Sequence, residues 1–446
     1  MKTPICDFVS KYVDDNALRL HMPGHKGVDL LGFEKRDITE IDGADSLYQA
    51  SGIIKESEEN AGALFGCDTF YSTEGSSQCI RAMLYLALKF SRSKSVQPFI
   101  LAGRNVHSSF VGAAALLGID VEWYYGSHSG SYLSCTFDAV ELDDLLGGMT
   151  SKPIAVYVTA PDYLGNLPDI SSVSAVCHKH GVLLLVDNAH GAYLKFLPES
   201  KHPIDFGADI CCDSAHKTLP TLTGAAYLHL SKSLPTCFCS EAKTALSLFG
   251  STSPSYLILQ SLDAVNGYIA DGYPEKLAAF IKQVDRIKNN LKLQGYRLIG
   301  DEPLKITVDA KEYGYSGIEL ANILLAKKIV CEFFDPDFIV LMLTPEVGIN
   351  GLESLLSAML EIPHRAPKTD RYPDFSVPER VFSPRETLLL KTEQVSAAES
   401  LGRVSAQMTI ACPPAVPVVI CGERISKEAV AMFEYYGISS CEVIKE

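Results

Sequence analysis

The chain has 446 residues, enough for two or three domains, and 47% of them are hydrophobic, as in ordinary globular enzymes. Its formal net charge of −15 argues against a nucleic-acid partner, because phosphates demand a basic surface. The sequence contains neither an apolar run of the roughly 18–20 residues that cross a bilayer nor an N-terminal signal-peptide region, so we expect a cytoplasmic protein without a membrane partner.

The cysteines give no sign of a disulfide framework or a metal site. There are 13 of them, an odd number at irregular spacing. Cys237 and Cys239 are separated by one residue, whereas zinc ligands are usually two to four residues apart. Cys211 and Cys212 lie in an apolar run, where cysteine behaves as a small hydrophobic residue. We therefore predict no bound metal.

The N-terminal part is predicted to be helical, then irregular, then helical again. Residues 1–18 place four apolar side chains near one helix face, and a second helix is predicted over 53–66. Between them, Pro23-Gly24 marks a turn that separates His21 from His25. This turn breaks any helix that would align the two histidines as metal ligands.

A small polar turn opens the next predicted helix, Cys79 to Phe90. The turn is Gly75-Ser76-Ser77, which offers backbone N–H groups, two hydroxyls and the positive end of a helix dipole. This combination is typical of a phosphate-binding site. The alternative is an ordinary serine N-cap. The glycine and lysine spacings of a Walker loop or a dinucleotide fingerprint are absent.

Strands and helices then alternate. Strands are predicted at 98–102, 121–125 and 154–159, and the helices between and after them at 111–117, 137–146 and 170–180. This alternation predicts an α/β fold with a mainly parallel sheet and helices on both faces.

Two strand ends carry the residues that point most directly to chemistry. Gly181 to Val186 has the apolar run of a buried parallel strand, and Asp187 stands at its carboxyl end, where open α/β sheets bind ligands. A carboxylate there can keep the pyridine nitrogen of pyridoxal 5′-phosphate (PLP) protonated, which makes the ring an electron sink. The alternative is an Asp that caps the following loop.

About thirty residues later another short apolar strand ends in Ser214-Ala215-His216-Lys217. A lysine held there suits a Schiff base to the PLP aldehyde. Ser214 and His216 can donate hydrogen bonds to the cofactor phosphate. A solvated surface lysine is the alternative.

In the C-terminal third of the chain the predicted strands and helices become shorter. Helices at 256–270 and 275–291 are followed from about residue 296 by short strands and helices typical of a small α+β domain. Residues 362–384 are rich in proline and charge and are predicted to be a linker. We predict an N-terminal segment (1–50), a large PLP-binding domain (51–290) and a C-terminal α+β region (291–446).

The sequence Asp187-Asn188-Ala189-His190-Gly191, followed by Ser214-Ala215-His216-Lys217, resembles the fold-type I PLP enzymes of the Orn/Lys/Arg decarboxylase family. Further similar blocks extend from about residue 19 to about residue 430, and the chain looks like the short bacterial form without the N-terminal wing domain. The resemblance implies a set of cofactor-binding residues: Gly75, Ser76, Ser77, His107, Asp187, Ala189, His190, Ser214, His216, Lys217, Ser251 and Thr252.

The same resemblance assigns individual roles. Lys217, Asp187 and His107 would be catalytic, with His107 stacked on the cofactor ring. His25 lies in a Met-Pro-Gly-His-Lys segment that the family places close to the active site. The block from Ser251 to Pro254 would reach the cofactor phosphate of a neighbouring subunit, which implies a homodimer or a higher homo-oligomer.

Glu423 is the candidate for binding the far cation of a basic substrate, because a buried cation needs an opposing carboxylate. Its alternatives are capping the helix that begins near Ser426 and pairing with Arg424 at the surface. The chain departs from the family pattern at four positions, with consequences that the sequence leaves open: Ser108, Asn188, Ala415 and Cys421.

The function implied is PLP-dependent decarboxylation of lysine, arginine or ornithine to a polyamine-type amine and CO2. The alternatives are another fold-type I PLP enzyme, such as an aminotransferase, and a non-catalytic PLP-binding homologue, because a fold does not fix a reaction.

Overall fold

The computed structural model describes residues 1–91, 97–126, 135–370, 372–374, 376–411 and 417–445. The chain divides into two compact units, each made of two separate segments. The first unit comprises Met1–Arg92 and Ile170–Leu277, and the second comprises Ser93–Asp169 and Ala278–Glu446. The predicted domains were contiguous, and their boundaries stay a prediction.

The helices, in chain order, are α1 (Pro4–Asp14), α2 (Ile53–Phe65), α3 (Gly75–Phe90), α4 (Ser108–Leu117), α5 (Ala139–Gly148), α6 (Ile170–Lys179), α7 (Ala215–Thr218), α8 (Thr236–Ser247), α9 (Tyr256–Ala270), α10 (Tyr273–Leu293), α11 (Gly317–Ala326), α12 (Gly348–Leu360), α13 (Pro384–Leu388) and α14 (Lys427–Tyr435).

The strands are β1 (Asp68–Ser72), β2 (Phe99–Gly103), β3 (Asp120–Tyr124), β4 (Ala155–Thr159), β5 (Leu183–Asp187), β6 (Ile210–Asp213), β7 (Ala226–Leu230), β8 (Arg297–Ile299), β9 (Lys305–Asp309), β10 (Phe333–Phe334), β11 (Phe338–Met342), β12 (Thr392–Ser396), β13 (Thr409–Ala411), β14 (Pro417–Ile420) and β15 (Ser440–Ile444).

In the first unit, four strands lie in the order β1-β7-β6-β5. β5 and β6 are parallel, with Asp187 opposite Cys212, while β7 runs antiparallel to both β6 and β1. All four residues of β6 and all five of β7 are buried, which agrees with their nearly continuous apolar sequences. Because β5 and β6 are parallel neighbours, their carboxyl ends bring Asp187 and the segment after Asp213 to the same edge.

In the second unit, β2 lies between β3 and β4 and is parallel to both. A separate antiparallel sheet has the order β10-β11-β9-β8, and two further two-stranded antiparallel sheets pair β12 with β15 and β13 with β14. The last part of the chain has its own core, centred on residues such as Val419, Ile425 and Phe433.

The predicted fold class is confirmed: a mostly parallel α/β sheet with helices is accompanied by small antiparallel sheets in the C-terminal region. The missed elements include β1 and α8 and, in the last part of the chain, α13, β12, β13 and β15. The helix α3 begins at Gly75 rather than at Cys79. Within the described ranges, every helix is too short or too polar to span a membrane.

Candidate active site

Lys217 lies in the first unit, on the single turn α7 that follows directly from β6. Its Nζ is 2.9 Å from Nε2 of His190, in the loop after β5. A ring nitrogen at this distance can hold or accept a proton of the lysine amine. The two predicted motifs, separated by some thirty residues in sequence, are therefore joined by a direct contact.

Asp187 ends β5, and its side chain is 3% exposed. One carboxylate oxygen accepts a hydrogen bond from the backbone N–H of Ala189 at 3.2 Å, and the thiol of Cys212 donates to the same oxygen at 3.6 Å. The carboxylate is thus held at the carboxyl edge of the parallel pair, as the sequence predicts.

The proposed phosphate site is built from two serines brought together by folding. The Oγ of Ser214 donates to Oγ of Ser76 at 2.8 Å. Ser76 and Ser77 lie in the first turn of α3, a helix of 16 residues whose N-terminus carries a partial positive charge. Ser77 has further interactions of its own. The arrangement offers hydroxyl and backbone donors at one helix end, which is the donor set that a phosphate needs.

The ring of His216 forms a hydrogen bond with the backbone. Its Nδ1 is 2.9 Å from the carbonyl oxygen of Ala225, so this nitrogen carries the proton and donates. Burial lowers the pKa of His216, partly offset by that hydrogen bond, and the nearby Lys217 lowers it further. The neutral ring then has only an acceptor at Nε2. The expected hydrogen bond from His216 to the phosphate would require a second proton, whereas Ser214 remains a donor.

The block at Ser251 and Thr252 is exposed. The backbone N–H of Ser251 donates to the carboxylate of Glu74, the residue before α3. The residue before this block, Gly250, is tightly packed. A Cβ on Gly250 would lie 1.9 Å from the hydroxyl of Tyr48 and 2.1 Å from Nε2 of Gln78. Gly250 is a residue that sequence reasoning missed, because only the packing reveals the close approach.

His25 is held within its own turn. Its Nδ1 accepts a hydrogen bond from the backbone N–H of Gly27 at 3.0 Å, and its Nε2 is 3.3 Å from the carboxylate of Asp37. This arrangement agrees with the Pro-Gly turn, and the role of His25 near substrate stays a prediction.

His107 lies in the second unit, where it is the N-cap residue of α4. Its Nδ1 accepts from the backbone N–H of Ser109 at 3.1 Å. Ser108, the first departure from the family pattern, is the first residue of α4. Stacking of His107 on a cofactor ring stays a prediction.

Glu423, also in the second unit, has a partner that the sequence did not indicate. Its two oxygens lie 2.6 Å and 2.7 Å from the terminal nitrogens of Arg104, and one of them also accepts from the backbone N–H of Ile420 at 2.8 Å. The side chains of Arg104 and Glu423 are 3% and 4% exposed. Binding a substrate cation would require the Arg104–Glu423 pair to open. The substrate-binding role of Glu423 therefore stays a prediction, and the observed pairing with Arg104 does not support it.

The two alternative roles of Glu423, capping the next helix and pairing with Arg424, do not match the observed contacts either. Ser426 caps α14, with its side chain accepting from the backbone of Ala429, and Arg424 pairs with Glu379 at 2.7 Å. The departure at Cys421 is buried, directly after β14. Ala415 lies outside the described residues.

The first unit therefore has the chemistry that PLP requires: an amine, a carboxylate on the adjacent strand end, and a donor set for phosphate. The parallel α/β core with an Asp and a Lys at adjacent strand ends defines the class of fold-type I PLP enzymes.

Comparison with known proteins gives the family. The model "Orn/Lys/Arg decarboxylase, major domain" matches residues 3–301, and "Orn/Lys/Arg decarboxylase, C-terminal domain" matches residues 376–442. The chain belongs to the Orn/Lys/Arg decarboxylase family and is an amino-acid decarboxylase, a PLP-dependent class of lyase.

Three individual proteins show the extent of the similarity. The chain is 28% identical over 465 residues to an arginine decarboxylase of Bacillus subtilis, covering 96% of this chain and 92% of that protein. It is 29% identical over 462 residues to YaaO, an uncharacterized protein of the same organism, with 96% and 93% coverage. The lysine decarboxylase LdcF of Francisella novicida has a similar fold, with a TM-score of 0.79, 17% identity, and coverage of 99% of this chain and 81% of that one.

Proposed function

We propose that this protein uses PLP held at Lys217 to remove the α-carboxyl group of a basic amino acid and release a polyamine-type amine. The observation that carries the proposal is the placement of Lys217 and Asp187 at the carboxyl ends of two adjacent parallel strands, with His190 2.9 Å from the lysine amine. When bound, PLP supplies the electron sink that accepts the electron pair left by the departing CO2.

Each residue has a defined task in this proposal. Lys217 would hold the cofactor covalently, and His190 would take or return a proton at the Nζ of Lys217. The buried carboxylate of Asp187 keeps a proton on the pyridine nitrogen. Ser76 and Ser214, at the start of α3, bind the phosphate.

Arginine is the first substrate to test. The curated relatives with 26–28% identity include several arginine decarboxylases. The lysine decarboxylase structures share only 16–17% identity and speak for the fold alone. The chemistry requires an α-amine to meet the cofactor and a distal cation, which lysine and ornithine share with arginine.

The test is a panel assay with arginine, lysine and ornithine, in which CO2 and amine are measured together. Equal release of CO2 and the corresponding amine supports the proposal. Conversion of the cofactor to pyridoxamine phosphate without CO2 would indicate an aminotransferase, and PLP bound at Lys217 without any turnover would indicate a non-catalytic homologue. Borohydride reduction followed by peptide mapping should place the cofactor on Lys217.

We also propose a homodimer. The first unit exposes several apolar side chains in one stretch, including Leu18 at 84%, Leu20 at 83%, Leu30 at 78% and Leu31 at 76%. The Glu34 carboxylate accepts hydrogen bonds from the backbone N–H groups of residues 30–33, so this loop is ordered while its leucines face outward. Exposed apolar surface of this kind is typical of an interface.

Sedimentation velocity tests the dimer. Replacing both Leu30 and Leu31 by Asp should shift the protein towards monomer, because two charges would have to be buried in the interface. The matched control is Leu293→Asp, at the end of α10, where a single leucine is 87% exposed. A monomeric wild-type protein at assay concentrations would contradict the dimer.

We place the protein in a reducing compartment such as the cytoplasm. The described cysteines, from Cys6 to Cys441, are free thiols, and most are buried. Free thiols in this number are typical of compartments where disulfides do not persist.

A further inference from the structure

A second group of buried polar side chains lies beside the proposed cofactor site in the first unit. Its centre is Asp213, the last residue of β6 and four positions before Lys217. Around it are His202, His229 and Asn188, and all four residues are 0% exposed. None of them has a task in the chemistry proposed above.

The Asp213 carboxylate is surrounded by donors. Its Oδ2 lies 3.0 Å from Nε2 of His202 and 3.2 Å from Nε2 of His229. Its Oδ1 accepts from the side-chain amide of Asn188 at 2.7 Å. The thiol of Cys211 donates to the same oxygen at 3.7 Å. A buried carboxylate is stable only when it is paired and hydrogen-bonded in this way.

The position of the proton on His202 follows from the outer contact of its ring. Nδ1 of His202 accepts from the backbone N–H of Ile204 at 3.3 Å, so the proton of the neutral ring is on Nε2 and is donated to Asp213. Burial opposes the charged form of His229, but Cys67 and Asp213 outweigh it and raise the pKa of His229 to about 9. The contact with Asp213 therefore favours the charged form of His229.

The hydrogen bonds of this group argue against a metal-binding role. Ligand atoms of His202, Cys211 and Asp213 lie within 4.8 Å of one another, which is close enough for a single metal ion to contact all three. The Nε2 of His202, however, presents an N–H rather than the lone pair that a metal needs. The group is a hydrogen-bonded anchor.

The anchor holds the loop that leaves β5. The backbone N–H of Asn188 donates to the carbonyl of Cys212 at 2.9 Å, and that of Gly191 donates to the carbonyl of Asn188 at 2.8 Å. The loop is tight, since a Cβ on Gly191 would lie 1.9 Å from the side-chain oxygen of Asn188. Asn188 follows Asp187 directly, and two residues later His190 meets Lys217.

These contacts form a closed chain of interactions between the loop after β5 and the end of β6. Asp213 binds Asn188, the Asn188 loop carries His190, His190 contacts Lys217, and Lys217 is four residues from Asp213 in the chain. We propose that Asp213, fixed by His202 and His229, is a positioning residue that locks the loop carrying Asp187 and His190 to the strand end carrying Lys217. The proposal rests on the proposed function, since it takes Asp187 and Lys217 to be the cofactor-binding pair.

The other end of β6 provides a matched control. Asp209, just before β6, is 6% exposed and accepts from the backbone N–H of Leu184 at 2.8 Å and from Nε2 of His178 at 3.0 Å. It thus links β5 to β6 at the amino ends of the strands, as Asp213 does at the carboxyl ends. Asp209→Asn removes an Asp–His contact, in which the His178 side chain is half exposed, without touching the loop after Asp187.

The experiment compares Asp213→Asn, Asn188→Ala and Asp209→Asn in the full chain. Three quantities are measured: amide hydrogen exchange at residues 188 and 191 without added PLP, the dissociation constant of PLP by absorbance titration, and kcat for the best basic amino acid. Asp213→Asn and Asn188→Ala should speed exchange in the loop, weaken PLP binding about tenfold or more, and lower kcat about 100-fold, the usual effect of misplacing reacting groups by about 1 Å. Asp209→Asn should lower thermal stability while leaving these three quantities near wild type.

Asn188→Ala leaves both Asp–His contacts in place, so it decides the matter if Asp213→Asn does not fold. Unchanged loop exchange and PLP affinity in Asn188→Ala would overturn the positioning role. An equal loss of PLP affinity in Asp209→Asn would also overturn it, since the effect would then follow general stability. A wild-type chain that neither binds PLP nor releases CO2 would contradict the proposed function, while the exchange measurement would still report on the anchor.

Discussion

Replacing Glu423 by Gln should destabilise the protein strongly, because Arg104 would keep a buried charge without its partner. The two side chains are 3–4% exposed and joined by two short contacts of 2.6 Å and 2.7 Å. Arg104 also lies over the rings of Trp123 and Tyr125, with its guanidinium carbon 5.2 Å and 5.8 Å from their centroids. Removing one member of such a pair costs about 3–5 kcal/mol.

The assay is urea unfolding of Glu423→Gln, of Arg104→Met, and of the double variant with Arg104→Met and Glu423→Leu. The double variant should regain most of the lost stability, since an apolar pair leaves no uncompensated charge. The control is Glu379→Gln, which breaks the exposed contact of Glu379 with Arg424 and should cost at most about 1 kcal/mol.

Glu423→Gln with nearly wild-type stability and a raised KM for basic substrates would refute this reasoning. That result would mean that the pair opens and that Glu423 binds the distal cation of the substrate. A stability loss of the expected size with an unaltered KM would assign the carboxylate to Arg104 and leave the substrate cation to another acidic group.

Three further predictions concern the first unit. Asp187→Ala should lose far more kcat than PLP affinity, because the carboxylate sustains the electron sink while the lysine and the phosphate donors still hold the cofactor; near-normal turnover would contradict it. The pKa of His229 is raised to about 9 from 6.5, so the stability that the charged ring contributes should be complete below pH 6.5 and lost as the pH rises through 9. This contribution is on the order of 3 kcal/mol. It should appear as a fall of the urea unfolding midpoint with rising pH that is steeper in the wild-type protein than in His229→Gln. Gly250→Ala should destabilise the protein by about 1–3 kcal/mol, since the methyl group would overlap Tyr48 and Gln78, and thermal unfolding against Gly147→Ala, where the added methyl meets open space, tests this.

The elements that the sequence predicted are those with a local signal. Apolar runs that end in a polar residue revealed β5 and β6, and the Gly-Ser-Ser turn marked the start of a helix, although α3 begins at Gly75 itself. α8 was missed because Cys237, Cys239 and several polar residues interrupt its apolar face, which leaves a weak helical periodicity. β1 was missed because its five residues continue almost directly into the turn before α3.

Pairings between distant parts of the chain could not be predicted in the same way. The sequence left open whether Glu423 binds a substrate cation, caps a helix or pairs at the surface, and its observed partner Arg104 is 319 residues away. Asp213 was visible only as the polar end of an apolar strand, and His202 and His229 carry no motif that links them to it. A sequence motif records which groups must face a ligand, whereas the groups that hold them in place are selected only by burial and geometry. In this chain that difference separates Lys217 and Asp187, which the sequence indicated, from Asp213 and Asn188, which only the structure connects to them.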